Sequence, residues 1–148
     1  MNTDSDIPLD DSLSIGVDII EIKRFRDLDA TSPFFHRVFT PQELAYCFDY
    51  SDPSPHLAAM FAGKEAVIKA LNSKQSVSMD CIEIFHNDDG SPYTKICHLP
   101  EIKIVISLAH SQEYAIAAAL DIPQSQTANA ALLHSLLNET TSNLLERT

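Results

Sequence analysis

The sequence predicts one α+β domain with an added segment at each end. Its 148 residues are about the size of a single domain, and strand-like apolar runs alternate with helical patterns without an internal repeat. Hydrophobic residues make up 45% and charged residues 21%, the proportions of a globular protein in water. We expect the domain over 14–121, an acidic disordered tail over 1–13, and a C-terminal extension over 122–148 with a helix at 128–145.

The first predicted element is a strand over 14–20, where the run SIGVDII contains a glycine and an aspartate. Asp18 needs an explanation, because a carboxylate in an apolar strand is costly to bury unless it is paired or bound to a cation. Glycine is scarce in this chain. Gly16 in this strand and Gly63 in a predicted helix therefore indicate close approach by a neighbouring element or a ligand.

Three helices are predicted after this strand. The first covers 21–28, where apolar residues at helical spacing leave a basic face of Lys23, Arg24 and Arg26. The second covers 40–48, because TPQE forms a capping box with proline at the first helical position. The third covers 54–71, with Ser54 as its cap and a broad apolar stripe facing the core.

The remaining elements of the domain are predicted strands. Residues 81–85 alternate as a strand, DDGSP at 88–92 is a turn, and 93–97 can return as the hairpin partner. A further strand covers 102–107. The alanine-rich segment 114–120 stays ambiguous, since alanine favours a helix while its neighbours favour a sheet.

The composition excludes several classes of function. A formal net charge of −11 argues against nucleic acid, which is bound by clustered lysine and arginine. No apolar run approaches the roughly 20 residues that span a bilayer, and the acidic start lacks the pattern of a signal peptide, so we expect a cytoplasmic protein without a membrane partner. The odd number and wide spacing of the cysteines predict buried thiols rather than a disulfide framework or a zinc site: Cys47, Cys81 and Cys97.

The segment FAGKEAVIKAL carries candidate catalytic residues. Glu65 and Lys69 are four apart and share a helix face, with Lys64 beside them. A surface ion pair is the commoner meaning of such spacing. However, two carboxylates from a strand and a helix, Asp18 and Glu65, also suit Mg²⁺, which proteins hold through one or two carboxylates completed by water and phosphate oxygens.

His110 is a candidate phosphate contact. It follows a predicted strand in the sequence SLAHS, with the hydroxyls of Ser107 and Ser111 nearby. A single histidine is more often structural, and the absence of a G-x-S-x-G turn argues against a serine hydrolase. The other histidines show no ligand spacing: His36, His56, His86, His98 and His134.

Five segments together resemble the holo-acyl-carrier-protein synthases in order and spacing: IGVDIIEIKRF, RVFTPQEL, FAGKEAVIKAL, the hairpin from IEI to DGSPY, and ISLAHSQEYAIAAAL. The similarity covers about 14–120 and is most diagnostic at 61–70. It implies the 4'-phosphopantetheinyl transferase fold, a small, strongly bent antiparallel sheet packed on a long helix, in which 114–120 is a strand. It also implies a homotrimer with active sites between subunits.

The resemblance implies an enzyme that transfers the 4'-phosphopantetheine group of coenzyme A (CoA) to a serine of an apo acyl carrier protein and releases 3',5'-ADP. By matching position, Asp18 and Glu65 would hold Mg²⁺, and the diphosphate of CoA would complete the site. Lys64 and Lys69 would face the phosphates, with Lys69 nearest the transferred group. Glu65 is then the candidate to accept the serine proton.

The same resemblance implies where the two substrates bind. His110 and Ser111 match the segment that contacts the nucleotide part of CoA. Arg24 matches a docking position for the carrier protein, and Arg26 shares its basic helix face. Because carrier proteins are generally acidic, this local basic patch would have to act against the negative charge of the whole chain.

The sequence also departs from the family pattern on the expected CoA side. Met60 stands where many members carry an arginine, Ala109 replaces a serine or threonine, and 72–78 lacks the usual glycine. These departures leave open a non-catalytic relative that binds CoA or the carrier protein. A third alternative is a structural subunit that packs through its C-terminal helix.

Overall fold

The fold is built around α4, a long helix that packs against an antiparallel sheet. The computed structural model describes residues 13–71 and 75–146, so nearly all of the predicted tail and part of the glycine-free segment lie outside the described residues. The elements in chain order are β1 (Ser14–Glu21), α1 (Lys23–Arg26), α2 (Pro33–Val38), α3 (Pro41–Phe48), α4 (Ser54–Leu71), β2 (Ile82–His86), β3 (Pro92–Ile96), β4 (Lys103–His110), β5 (Tyr114–Ile122) and α5 (Ala130–Glu146).

The strands form two antiparallel sheets. One has the order β1-β5-β4, and the other is the β2–β3 hairpin, which closes through a turn at Gly90. The predicted α+β fold is therefore confirmed, with its small sheet divided into a three-stranded and a two-stranded part. In the larger sheet Asp18 lies opposite Ala117, and His110 lies opposite Ala115.

The ambiguous alanine-rich segment is β5, the central strand of the larger sheet. Ala115, Ala117 and Ala119 alternate along it and are fully buried in the cluster that contains the core face of α4. Their small side chains let the helix approach the sheet closely. Alanine is thus selected here for the space between two layers, against its intrinsic preference for helix.

Both glycines flagged in the sequence lie where elements pack tightly. A Cβ added at Gly16 would overlap the carbonyl oxygen of Ala66 and come within 2.8 Å of the backbone nitrogen of Ala70. A Cβ at Gly63 would lie 2.9 Å from side-chain carbons of Ile84 and Leu108. The close approach is therefore made by neighbouring protein elements, and Gly16 fixes β1 directly against the backbone of α4.

The helix ends follow local capping chemistry. The capping box at Thr40 and Glu43 is present, which confirms the predicted start of α3. Ser54 was predicted to cap α4, and this prediction is wrong. Ser54 is the first helical residue, and its backbone N–H donates to the carboxylate of Asp52 at 3.1 Å. α1 is shorter than predicted, and α2 was not predicted although Ser32 caps it and a proline follows at its first position.

The C-terminal helix α5 packs on the face of the larger sheet opposite α4. Leu137 contacts an apolar cluster from β4 and β5 made of Val105, Ala118, Leu120 and Ile122. The buried hydroxyl of Ser107 on β4 bonds to the side chains of Asn138 and Thr141 on α5. Ser107 therefore anchors the extension and does not accompany His110 at a ligand site.

The prediction of three buried thiols is wrong for two of the cysteines. Cys81 and Cys97 form a disulfide with a Cα–Cα separation of 5.2 Å, because the hairpin places them opposite each other one pair beyond Ile82 and Ile96. Only strand pairing, and not spacing in the sequence, reveals this partnership. Cys47 is a buried thiol, and burial raises its pKa to about 12.

No helix within residues 13–71 or 75–146 is both long and apolar enough to cross a membrane.

Candidate active site

Asp18 and Lys69 meet where β1 contacts α4. The ammonium nitrogen of Lys69 lies 3.0 Å from the carboxylate of Asp18 and 2.9 Å from the carbonyl oxygen of Val17. The Asp18 side chain is 19% exposed and that of Lys69 is 51% exposed, so the pair opens to solvent on the lysine side. The Asp18 carboxylate in its apolar strand is thus paired with a cation from the neighbouring helix. Lys69 contacts Asp18, whereas spacing in the sequence alone suggests that it pairs with Glu65.

Glu65 lies one turn before Lys69 on the same side of α4 and is half-buried. Together with Asp18 it provides a carboxylate from each of two packed elements. In the part of the chain that the structure describes, no three histidine, cysteine or acidic side chains converge as a preformed metal cluster. Both carboxylates are partly exposed, and two such groups fit Mg²⁺, since water and substrate phosphates usually supply its other ligands.

Lys64 occupies a different environment from the one expected for a phosphate ligand. Its side chain is fully buried, with its nitrogen 2.6 Å from the carboxylate of Glu43 and 2.6 Å from the carbonyl oxygen of Val38. Burial lowers the pKa of Lys64, and the adjacent Glu43 carboxylate opposes that shift. The structure therefore gives Lys64 a role in the core, which separates it from Lys69 and from any phosphate at the surface.

His110 and Ser111 lie together at the end of β4. His110 is exposed, whereas the hydroxyl of Ser111 accepts hydrogen bonds from the backbone N–H groups of Glu113 (3.3 Å) and Tyr114 (3.2 Å). Ser111 therefore shapes the turn between β4 and β5. This turn holds the backbone next to His110 in place.

A cavity of about 210 Å³ opens beside His110. It is bounded by α3, α4, both strands and the turn of the β2–β3 hairpin, and β4. Met60 and Leu108 form part of its apolar wall, and its polar lining comes from Tyr46, His56, His86 and His110. Sequence reasoning missed His56 and His86, because only the packing of a helix against two sheets brings them to His110.

The basic face of α1 is present as expected. Phe25 is buried, while Lys23, Arg24 and Arg26 are exposed. Arg26 lies 3.5 Å from the carboxylate of Asp52, a solvent-exposed pair that contributes little to stability. The surface of α1 is therefore available for an acidic partner.

These features agree with comparisons to known proteins. The family model described as "4'-phosphopantetheinyl transferase superfamily" matches residues 14–119. The chain is 43% identical over 105 residues to a holo-[acyl-carrier-protein] synthase of Thermodesulfovibrio yellowstonii, covering 70% of this chain and 92% of that protein. It is 38% identical over 125 residues to the corresponding synthase of Chlamydia pneumoniae, covering 73% of this chain and 95% of that protein.

Solved structures give the same result. A holo-(acyl-carrier-protein) synthase of Bacillus anthracis in complex with CoA (3',5'-ADP) matches with a TM-score of 0.65 and 27% identity, covering 75% of this chain and 96% of that chain. The Helicobacter pylori enzyme in complex with coenzyme A matches with a TM-score of 0.62 and 28% identity, covering 71% of this chain and 96% of that chain. The chain therefore belongs to the 4'-phosphopantetheinyl transferase superfamily. The predictions of a holo-acyl-carrier-protein synthase, its fold and its transferase class are confirmed.

The buried position of Lys64 makes a prediction about stability. We expect Lys64→Met to lower the free energy of unfolding by about 3–5 kcal/mol, because it leaves the Glu43 carboxylate buried without its cation. Lys69→Met is the matched control on the same helix and should cost below about 1 kcal/mol, since its pair is open to solvent. Urea unfolding of both variants measures the difference, and equal losses would contradict the assigned roles.

Proposed function

We propose that this protein transfers the 4'-phosphopantetheine group of CoA to a serine of an apo acyl carrier protein, with Mg²⁺ held by Asp18 and Glu65. The observation that carries the proposal is the meeting of Asp18 and Lys69 between β1 and α4, one helical turn from Glu65. Two carboxylates and an accessible cation at one place suit a metal-assisted reaction of a diphosphate. The names of the similar proteins and the CoA complexes of two of them support the choice of substrates.

In the proposed reaction the carrier serine oxygen forms a bond to the β-phosphorus of CoA, and the bond from that phosphorus to the 3',5'-ADP oxygen breaks. Bound Mg²⁺ would neutralise charge on the diphosphate. Lys69 carries its ammonium on a half-exposed side chain, from which it can contact a developing phosphate charge. Glu65 is the residue we propose to accept the serine proton, directly or through water.

Of the two lysines expected at the phosphates, Lys69 is retained in the proposal. Lys64 is enclosed by its pair with Glu43, and we assign it to the core. His110 remains the proposed contact for the nucleotide part of CoA, with Ser111 supporting the turn beside it. The joint presence of Asp18, Glu65 and Lys69 favours a catalyst over a non-catalytic binding relative, which would not need all three.

The carrier protein is proposed to dock on the exposed basic face of α1 through Arg24 and Arg26. This face concentrates positive charge in a chain whose formal net charge is −11, so it offers an acidic partner a local attraction within a repulsive field. A cytoplasmic location stays a prediction from the sequence.

A homotrimer is proposed from the exposed face of β1. Ile15, Val17 and Ile19 alternate along this edge strand on the face away from α4, and they are 61%, 44% and 50% exposed. α5 covers the same face of the sheet at β4 and β5 and leaves β1 open. A row of large apolar side chains on a sheet edge is typical of a contact with another chain.

The metal assignment is tested by replacing each carboxylate with its amide. We expect Asp18→Asn and Glu65→Gln each to slow transfer at least about 100-fold, because charge on the diphosphate would no longer be neutralised. The readout is the intact mass of an apo carrier protein after incubation with the enzyme, CoA and Mg²⁺, with an EDTA arm. Asp49→Asn, on an exposed residue, is the control. A near-normal rate in either variant would refute the metal site, and an unmodified carrier with the unaltered enzyme would refute the proposed reaction.

The docking face is tested by reversing one charge. Arg24→Glu should raise KM for an acidic carrier protein about tenfold and leave KM for CoA unchanged, because α1 contacts only the carrier in this proposal. Lys103→Glu makes the same charge change at an exposed position on β4. If both variants weaken carrier use equally, the effect belongs to net charge and α1 is not the docking site.

The trimer is tested by placing a charge on the β1 edge. Ile15→Glu should shift the mass in sedimentation equilibrium from three chains towards one while the circular dichroism spectrum is unchanged, because the side chain is 61% exposed within one chain. Gln42→Glu, an exposed change of equal charge on α3, should leave the mass unaltered. A monomeric unaltered protein would rule out the trimer.

A further inference from the structure

Three imidazoles line the cavity beside β4. The ring centroids of His56 and His110 are 5.4 Å apart, with the planes at 76°. His86 lines the same cavity from β2, although its position in the sequence shows no relation to the other two. Three elements distant in sequence thus bring three titratable rings to one opening.

Tyrosine rings hold two of these imidazoles in place. Tyr46 stacks on His86 with centroids 4.1 Å apart and planes at 3°, and Tyr50 stacks on His56 at 3.6 Å and 18°. The two tyrosine hydroxyls bond to each other at 3.2 Å. A tyrosine ring therefore covers one face of His56 and one face of His86 and fixes the plane of each imidazole.

The cavity has no fixed charge of its own. Its lining within the described chain contains neither acidic residues nor lysine or arginine, and Met60 is part of its wall. The ring nitrogens of His56, His86 and His110 make no hydrogen bond to residues 13–71 or 75–146. Any positive charge here has to come from protonation of the imidazoles themselves.

We propose that His56 and His86 join His110 in a protonatable anion site that binds the 3'-phosphomonoester of CoA, so that CoA binding is coupled to proton uptake. The inference rests on the proposed function, because it takes CoA as the ligand. Neither spacing nor motif in the sequence indicated His56 and His86, and here both contribute to recognition of one phosphate group. The cavity volume of about 210 Å³ is small for a whole nucleotide and suits a single phosphate group.

The surroundings of the rings support this coupling. Burial lowers the pKa of His56 and of His86, and each is lowered further by a neighbouring imidazole, while the carboxylate of Asp52 partly opposes the shift at His56. Tyr46 stays neutral, because burial raises its pKa. Lowered pKa values favour the neutral form of both histidines at pH 7. A bound phosphate would favour the charged imidazolium, so affinity should rise as pH falls towards the ordinary pKa of histidine, about 6.5.

Calorimetric titration of CoA and of 3'-dephospho-CoA into the full-length protein tests the site. Repeating the titrations in two buffers of different ionisation enthalpy gives the number of protons taken up on binding. The variants are His56→Gln and His86→Gln, and His36→Gln is the matched control on an exposed residue of α2. Protonation of the free phosphomonoester at a given pH is the same in every titration, so a difference in proton uptake between variants arises in the complex.

The unaltered protein should bind CoA about tenfold more tightly than 3'-dephospho-CoA at pH 6.5, with a smaller ratio at pH 8. Each cavity variant should lower this ratio and the proton uptake while binding 3'-dephospho-CoA normally, which also shows that it is folded. Unchanged CoA affinity and proton uptake in both variants would overturn the histidine site alone. Failure of the unaltered protein to bind either compound would overturn the proposed function and this site with it.

Discussion

The buried ion pair between Glu43 and Lys64 determines how the surrounding elements pack. The Glu43 carboxylate accepts hydrogen bonds from the backbone N–H groups of Thr40 and Ile84, each at 2.9 Å, in addition to its contact with Lys64. The Lys64 ammonium donates to two backbone carbonyls, those of Val38 and Met79. Both charges lie fully inside the protein, and such a pair is tolerated only when its remaining hydrogen-bonding groups are satisfied.

This pair also sets the rotation of α4 about its axis. Successive residues of a helix are about 100° apart, so fixing Lys64 toward Glu43 turns Glu65 to a neighbouring face and places Lys69 one turn later beside it. Lys69 then reaches Asp18 on β1, and Gly16 lets the two backbones approach closely enough for that contact. A core interaction and the proposed catalytic groups are thus linked through one rigid helix.

The sequence predicted best what is encoded locally. The capping box at Thr40, the hairpin and the apolar stripe of α4 each follow from a few neighbouring residues, and Asp18 in its strand correctly indicated a nearby cation. The environment of Lys64 could not be predicted, because the helical pattern of FAGKEAVIKAL does not distinguish the burial of Lys64 from that of Glu65 and Lys69. Only tertiary packing shows which of them faces inward.

The histidine cavity and the disulfide were missed for the same physical reason. Each joins residues from different elements, and neither leaves a spacing that a single sequence reveals. Ser107 shows the opposite error, because neighbours in the sequence are separated in the fold. Its place in SLAHS suggested a partner for His110. Successive side chains of a strand point to opposite faces, however, and Ser107 lies on the face that α5 covers.

The covering of that face gives the C-terminal extension a physical role. α5 lies outside the region that matches the family model, and it packs its apolar side on β4 and β5. Without the helix, the hydroxyl of Ser107 would contact water, and the side chains of Val105 and Leu120 would be exposed. With the helix present, an apolar row remains open along β1, at Ile15, Val17 and Ile19. The extension therefore directs any association of this sheet face to its β1 edge, whose opposite face carries Asp18.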